Sequence, residues 1–327
     1  MAIPLNLVYR SRAVQYPFLR AIDACNGWER AGIELKSLKY VSGAAASDPM
    51  LIKGECDFIF GSHISPYIHR MNGHPFVYLG QTVNWTDDVI VSKEKITDPK
   101  QLIGKRFVEV EGADANRHHG HHPAGNHLLY LQREGVDPHS LTFVAASTKE
   151  QWQDVAEGRG DFCFSGPPDD EDAAAAGLHV FPLAPLPMVN GSTMTTMWPI
   201  YQERRDLCEG VLKAAIMGIH YIKTNPDGFW KLMQDDVAVE LKVKEEKALK
   251  HLYAYCRAIL EPRLYPVAES VGNAFKLAIM EEPGIEQKIN PFSLWDIHLL
   301  REIDESEFID DLYGGNVPPP GAPPARV

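Results

Sequence analysis

The chain lacks any run of about 18 apolar residues, so it offers no helix that would span a membrane. It is short of positive charge: 32 Lys and Arg stand against 44 Asp and Glu, for a formal net charge of −12. That balance argues against a nucleic-acid partner, because neutralising phosphates takes a basic surface. A small anionic ligand is not excluded, since it answers to local charge only. Cysteine is sparse, and Cys25, Cys56, Cys163, Cys208 and Cys256 form no CxxC pair. An odd number of scattered cysteines reads as reduced, buried thiols. The opening MAIPLNLVYRSR has no basic n-region followed by an apolar core and a small-residue cleavage site. The expected location is therefore the cytoplasm, or the periplasm if a signal peptide has been removed. No phosphate-binding glycine loop, G-x-S-x-G elbow or catalytic cysteine signature occurs.

What is present points to α/β layers. LNLVYR (5–10), IELKSLKYV (33–41), DFIFGS, FVYLGQT and DVIVS read as strands closed by small or polar residues. YPFLRAIDAC spaces Phe18, Ile22 and Cys25 as a helix, and Ser47-Asp48-Pro49 offers a cap for a short one. A second series follows, with strands at 106–110, LTFVAA, DFCFSG and HVFPL and helices in PAGNHLLYLQREG (123–135) and KEQWQDVAEG (149–158). Such alternation predicts largely parallel sheets. PPDDED (167–172) reads as a solvated acidic loop. From residue 203 onward the chain is mostly helical, and the tail GGNVPPPGAPPARV is expected to be extended or disordered, with no site.

One internal echo stands out. Gly54-Glu55-Cys56-Asp57-Phe58-Ile59-Phe60-Gly61-Ser62 reappears as Gly158-Arg159-Gly160-Asp161-Phe162-Cys163-Phe164-Ser165-Gly166. Both read G-x-x-D-F-x-F and then Gly and Ser in either order. Ligands of open α/β sheets gather outside the carboxyl ends of strands. Two such ends suggest two similar lobes that share a cleft.

The order of these signals resembles the type 2 periplasmic binding proteins, in their sulfonate/taurine-binding and thiamine-pyrimidine-synthase-like branch. The residues that carry the resemblance are NGWERAGIELKSLKYVSG (26–43), LIKGECDFIFGSHISPYIHRMNGHPFVYLGQ (51–81) and ITDPKQLIGKRFVEVEG (96–112), an ordered set within roughly residues 4–235. The resemblance implies an α/β fold of two lobes joined by two crossover strands, with a ligand cleft between them and extra C-terminal helices. Lobe one would comprise 1–86 plus 193–265 and lobe two 87–192. A helical extension over 266–312 would pack on lobe one, ahead of a Pro/Gly-rich tail at 313–327. The strand-end loops would then carry the ligand, through Arg10, Arg12, Ser62, His63, Thr82, Trp85, Glu111, Arg117, His118, Ser165 and Gly166. The family includes cytoplasmic enzymes such as 4,5-dihydroxyphthalate decarboxylase as well as receptors, so fold alone does not choose between them.

RHHGHHPAGNH holds five histidines between Arg117 and His127. Pro123 at a first helical position puts residues 118–122 just before a helix N-terminus, which suits an anion. A divalent metal on His118, His119, His121 and His122 is the second reading, with Glu109, Glu111, Asp114 or His63 as a further ligand. A solvated loop is the third. His127, inside the helix, is expected to be structural, and His69 and His74 to lie on the surface. His63 is the candidate general acid, since imidazole titrates near neutrality, while Arg10 and Arg117 would hold a carboxylate. The leading expectation is a cytoplasmic lyase, a decarboxylase by preference, acting on a small anionic and aromatic carboxylate. The alternative is the substrate-binding protein of an ABC importer for sulfonates or carboxylates, with a permease as its partner.

Overall fold

Residues 2–148, 150–167 and 169–323 are described by the computed structural model. Strands β1 (Ile3–Tyr9), β2 (Ile33–Tyr40), β3 (Phe58–Phe60) and β4 (Phe76–Thr86) open one sheet; β5 (Val89–Ser92), β6 (Arg106–Glu109), β7 (Thr142–Ala145), β8 (Phe162–Ser165) and β9 (His179–Pro182) build a second. Strand β10 (Leu186–Met197) returns to the first, giving orders β2-β1-β3-β10-β4 and β7-β6-β8-β5-β9. Period-two alternation buries both faces of the first sheet. Leu5, Leu7, Phe58 and Phe60 enter one core, while Val8 and Ile59 enter another.

Parallel strand pairs join β1 with β2 and β3, and β6 with β7 and β8. The largely parallel expectation fails at the crossovers. Strand β10 runs antiparallel to β3 and β4, and β5 antiparallel to β8 and β9. Each of these strands enters its sheet from the other lobe. Because β10 pairs with β4 from Leu186 onward, the return crossing falls before residue 193.

The internal echo is a structural repeat. In each lobe the motif aspartate ties its strand to the neighbouring parallel strand. Asp57 Oδ2 accepts from Asn6 N, and Asp161 Oδ2 from Arg106 N, both at 2.7 Å. The reciprocal bonds, Asp57 N to Asn6 O and Asp161 N to Arg106 O, are 2.9 and 2.8 Å. Gly54 and Gly158 both sit at positive φ, which ends the preceding helix.

Helix Ala268–Glu281 packs across both lobes. Phe275, Leu277 and Ala278 share a buried cluster with Tyr67 and Tyr78 of lobe one and with Phe107 and Tyr130 of lobe two. It is tied to the crossovers: Ser270 Oγ donates to Asn84 O at 2.7 Å, and Asn273 Nδ2 to Pro187 O at 2.8 Å.

Two local expectations change. PPDDED is not a loop, since Asp169–Ala175 is helical with its acids in the first turn, where the helix dipole favours them. Its Glu171 meets Lys247 at 2.5 Å on helix Glu246–Ile259, which packs with lobe one. Pro168 and Lys149, at the edges of two expected segments, lie outside the described residues. The Ser47-Asp48-Pro49 cap lies instead within helix Ala44–Ile52. The tail forms no helix or strand over residues 316–323, in line with an extended segment, and its Gly321 N donates to Glu261 Oε2 at 3.3 Å; residues 324–327 lie outside the described part.

Candidate functional site

On the lobe-one side the turn after β3 sets the geometry. Gly61 has φ +121°, and an added Cβ would press within 3.1 Å of Arg10 Cβ, so only glycine lets the arginine lie against this turn. Ser62 follows in the left-handed region, at φ +60°. Its hydroxyl accepts from Arg10 Nη1 at 2.7 Å and donates to Asp48 Oδ1. Asp48 is fully buried and also accepts from Ser65 Oγ at 2.5 Å, with His69 Nε2 3.3 Å away. Burial pushes its carboxyl pKa up, but the bonds from His69, Ser62 and Ser65 and the nearby Arg10 charge outweigh this and hold it low. Arg10 is thus balanced by Asp48 through one hydroxyl. Its Nε is buried and has no partner among the described residues. Gln15 fixes the start of this loop, accepting from Arg10 N and Ser11 N at 3.0 Å each.

His63 follows directly. Its Nδ1 lies 2.7 Å from Thr193 Oγ1, whose hydroxyl donates to Gln81 Oε1 at 2.6 Å. Gln81 Nε2 donates to Val83 O and Asn190 O, both at 2.5 Å. Burial, with His122 and Arg10 nearby, depresses the His63 pKa well below the ordinary imidazole value, so the ring is neutral.

Lobe two supplies the facing ring. His122 opens helix His122–Arg133, and its ring centroid is 4.8 Å from that of His63. Burial, with His118 and Arg10 as further causes, lowers its pKa to about 3. Its Nε2 is buried without a partner among the described residues, as is Ser192 Oγ on β10.

The other histidines of the cluster diverge. His118 is fully buried and turns away to helix Ala268–Glu281: Nε2 is 3.1 Å from Leu277 O, and its backbone N–H donates to Glu281 Oε1 at 3.1 Å. Its Nδ1 lies 3.3 Å from the same carboxylate oxygen, but outside hydrogen-bond alignment. His119 pairs with Asp114 at 3.2 Å on the surface, and His121 is exposed. Among the described residues no three His, Cys, Asp or Glu side chains converge as a metal site. His127 is held inside lobe two by Glu109 Oε2 at 2.5 Å and stacks on Phe164.

The remaining expected residues disperse too. Arg117 Nη2 donates to Glu281 O at 2.9 Å, so it engages the C-terminal helix. Arg12 lies over the Tyr40 ring at 4.3 Å, near Glu240. Thr82 is buried and exchanges bonds with Ser192 across the β4–β10 pair. Trp85 packs against the lobe-one core, and Glu111 is exposed. Ser165 pairs with Val89, and an added Cβ at Gly166 would lie 3.1 Å from Asp88 Oδ1. Of the expected set, Arg10, Ser62 and His63 gather on one side of the seam and His122 on the other. Sequence reading missed Asp48, Gln15, Gln81 and Thr193. Buried amides and hydroxyls give no periodic signal, and only their partners reveal them.

A family model described as "NMT1/THI5 like" matches residues 26–228. No curated protein matches the chain. Among solved structures it is similar to a putative periplasmic sulfonate-binding protein SsuA from Methylobacillus flagellatus KT, with 13% identity, TM-score 0.68, and 94% of this chain and 95% of that one covered. It is also similar to the periplasmic aliphatic sulphonate binding protein SsuA from Escherichia coli, at 16% identity and TM-score 0.67 over 90% and 99% of the two chains. A DSZB variant in complex with biphenyl-2-sulfinic acid matches at 14% identity and TM-score 0.59, with 92% and 99% covered. At these identities the likeness establishes the fold, which is that of the type 2 periplasmic binding proteins. Among the described residues no helix is long and apolar enough to cross a membrane.

Proposed function

This chain belongs to the NMT1/THI5-like family, and on that premise we propose that it is a substrate-binding protein that closes two lobes on a small anion, of the type that serves an ABC importer. The observation that carries this reading is Arg10. Its guanidinium lies at a strand end, is offset through Ser62 by Asp48, and keeps a buried Nε that has no partner among the described residues. A buried donor left unpaired costs about 1–3 kcal/mol, and an anionic ligand would remove that cost. Two structural relatives, the SsuA proteins, carry sulfonate binding in their names, and a third holds an aromatic sulfinate. Sulfonates and sulfinates are both oxyanions of the kind a guanidinium pairs with well.

The decarboxylase expectation asked His63 to deliver a proton. Burial keeps that ring neutral, and its Nδ1 is engaged with Thr193. Its geometry supports accepting a hydrogen bond better than giving a proton away. Calorimetry with a panel of aliphatic sulfonates, aromatic sulfonates and aromatic carboxylates tests the reading, with mass spectrometry of each mixture. Binding without conversion is the expected result. Conversion of a bound compound would replace the binding-protein reading by an enzymatic one, and silence across the panel would remove the anion.

A further inference from the structure

We propose that the cleft selects an anion that also carries a hydrogen-bond donor, a hydroxyl or N–H group, and that His63 Nε2 is the atom that reads it. The inference deepens the anion-binding reading and rests on it for the word anion.

Gln81 Nε2 reaches two carbonyl oxygens, Val83 O and Asn190 O. Carbonyls only accept, so the nitrogen of the amide must face them and Oε1 must point the other way. Oε1 therefore accepts, and the Thr193 hydroxyl 2.6 Å away must donate to it. A hydroxyl has one proton. With that proton committed, Thr193 Oγ1 meets His63 only as an acceptor, so His63 Nδ1, 2.7 Å away, carries the hydrogen. A neutral imidazole has one N–H. The second nitrogen, Nε2, is then a bare acceptor.

Among the described residues no protein group donates to that nitrogen. Arg10 Nη1 is spent on Ser62, Tyr78 Oη donates to the His63 carbonyl, and His122 faces the ring without a hydrogen bond. The charges that bear on the His63 ring are those of His122 and Arg10, and among the described residues neither donates to Nε2. The lock is built from residues that are themselves buried: Gln81 and Thr193 are both fully inaccessible. An arginine with a free donor beside an imidazole with a free acceptor asks for a ligand that offers both an oxyanion and an O–H or N–H. A plain alkyl anion meets only half of the pair.

The first test needs no ligand. Long-range ¹H–¹⁵N spectra of the protein labelled on histidine nitrogen report which ring nitrogen holds the proton. We expect the Nδ1–H form for His63, and the Nε2–H form would overturn the assignment. Thr193→Val removes the acceptor that selects the form, so His63 should shift toward the Nε2–H tautomer while circular dichroism stays native. If that variant fails to fold, the wild-type spectrum and the ligand pairs still decide.

The second test uses matched pairs: 2-hydroxyethanesulfonate against ethanesulfonate, and 4-hydroxybenzoate against 4-methoxybenzoate. The donor-bearing member should bind at least about tenfold tighter, as one well-placed hydrogen bond allows. The ratio should fall toward one in His63→Phe. Binding of a pair without discrimination overturns this inference and leaves the anion reading intact. Absence of binding by every pair, with the Nδ1–H form present, overturns the anion reading and this ligand class with it.

Discussion

The imidazoles of His63 and His122, one from each lobe, meet across the seam with ring centroids 4.8 Å apart and planes inclined by 48°. Burial is the first cause of the depressed pKa of both, with their neighbours' positive character adding to it. Both rings are therefore harder to protonate in the folded protein than in the unfolded chain.

A pH dependence follows. In the unfolded chain both rings protonate near the ordinary value of 6.5, whereas His122 in the folded cleft does so only at about 3. Below 6.5 the unfolded state binds more protons, so stability is fully present above that pH and declines as pH falls. The slope is up to about 1.4 kcal/mol per pH unit for each ring. His127 acts with the opposite sign. Burial lowers its pKa, but the Glu109 carboxylate outweighs burial and raises it, so its contribution is full at low pH. Thermal midpoints measured from pH 7.5 to 5 should fall for the wild type and fall less for His122→Asn. Identical slopes would contradict the buried neutral ring.

The C-terminal helix should be felt at the histidine loop. Glu281 accepts from His118 N and accompanies Arg117, and its removal leaves a buried N–H unpaired at a cost of about 1–3 kcal/mol. Gly125→Ala presses on the same contact, because its Cβ would lie 2.8 Å from Leu277 Cδ1 and 3.0 Å from His118 Cδ2. Overpacking of about 1–3 kcal/mol exceeds the gain of about 1 kcal/mol that alanine brings to a helix. Urea midpoints should drop for both Glu281→Ala and Gly125→Ala. A stabilised Gly125→Ala would show that the contact gives way.

The tail makes its own prediction. A Cβ on Gly321 would fall 2.1 Å from Ile259 O, a backbone atom that cannot swing aside. Gly321→Val should release the tail and expose the buried Glu261 carboxylate it covers. Faster proteolysis after residue 313, with the core intact, is the expected readout; an unchanged digestion pattern would refute it.

Periodicity made most strands and the helices His122–Arg133, Arg205–Thr224 and Glu246–Ile259 legible. Strand β10 was not, because GSTMTTM is a polar string. It is nonetheless buried, with Thr193, Thr195 and Thr196 at zero exposure, since their hydroxyls bond Gln81, Gly61 O and Asp57 O. A strand that buries threonines by satisfying their hydroxyls internally carries no apolar signature. The fate of His118 was equally hidden, because its partner Glu281 lies 163 residues away. Composition grouped five histidines, and long-range contacts sent them to different places. Arg10, Ser62 and His63 were readable because a strand end is a local feature.

Isothermal titration of the anion panel into wild type and Arg10→Met tests the anion seat most directly. At least one oxyanion should bind the wild type, and Arg10→Met should weaken it by about ten- to a hundredfold, the range of a charge-assisted hydrogen bond, measured below the lowered thermal midpoint that loss of the Asp48 partner brings. An Arg10→Met protein that binds the same anion as tightly as wild type would contradict it.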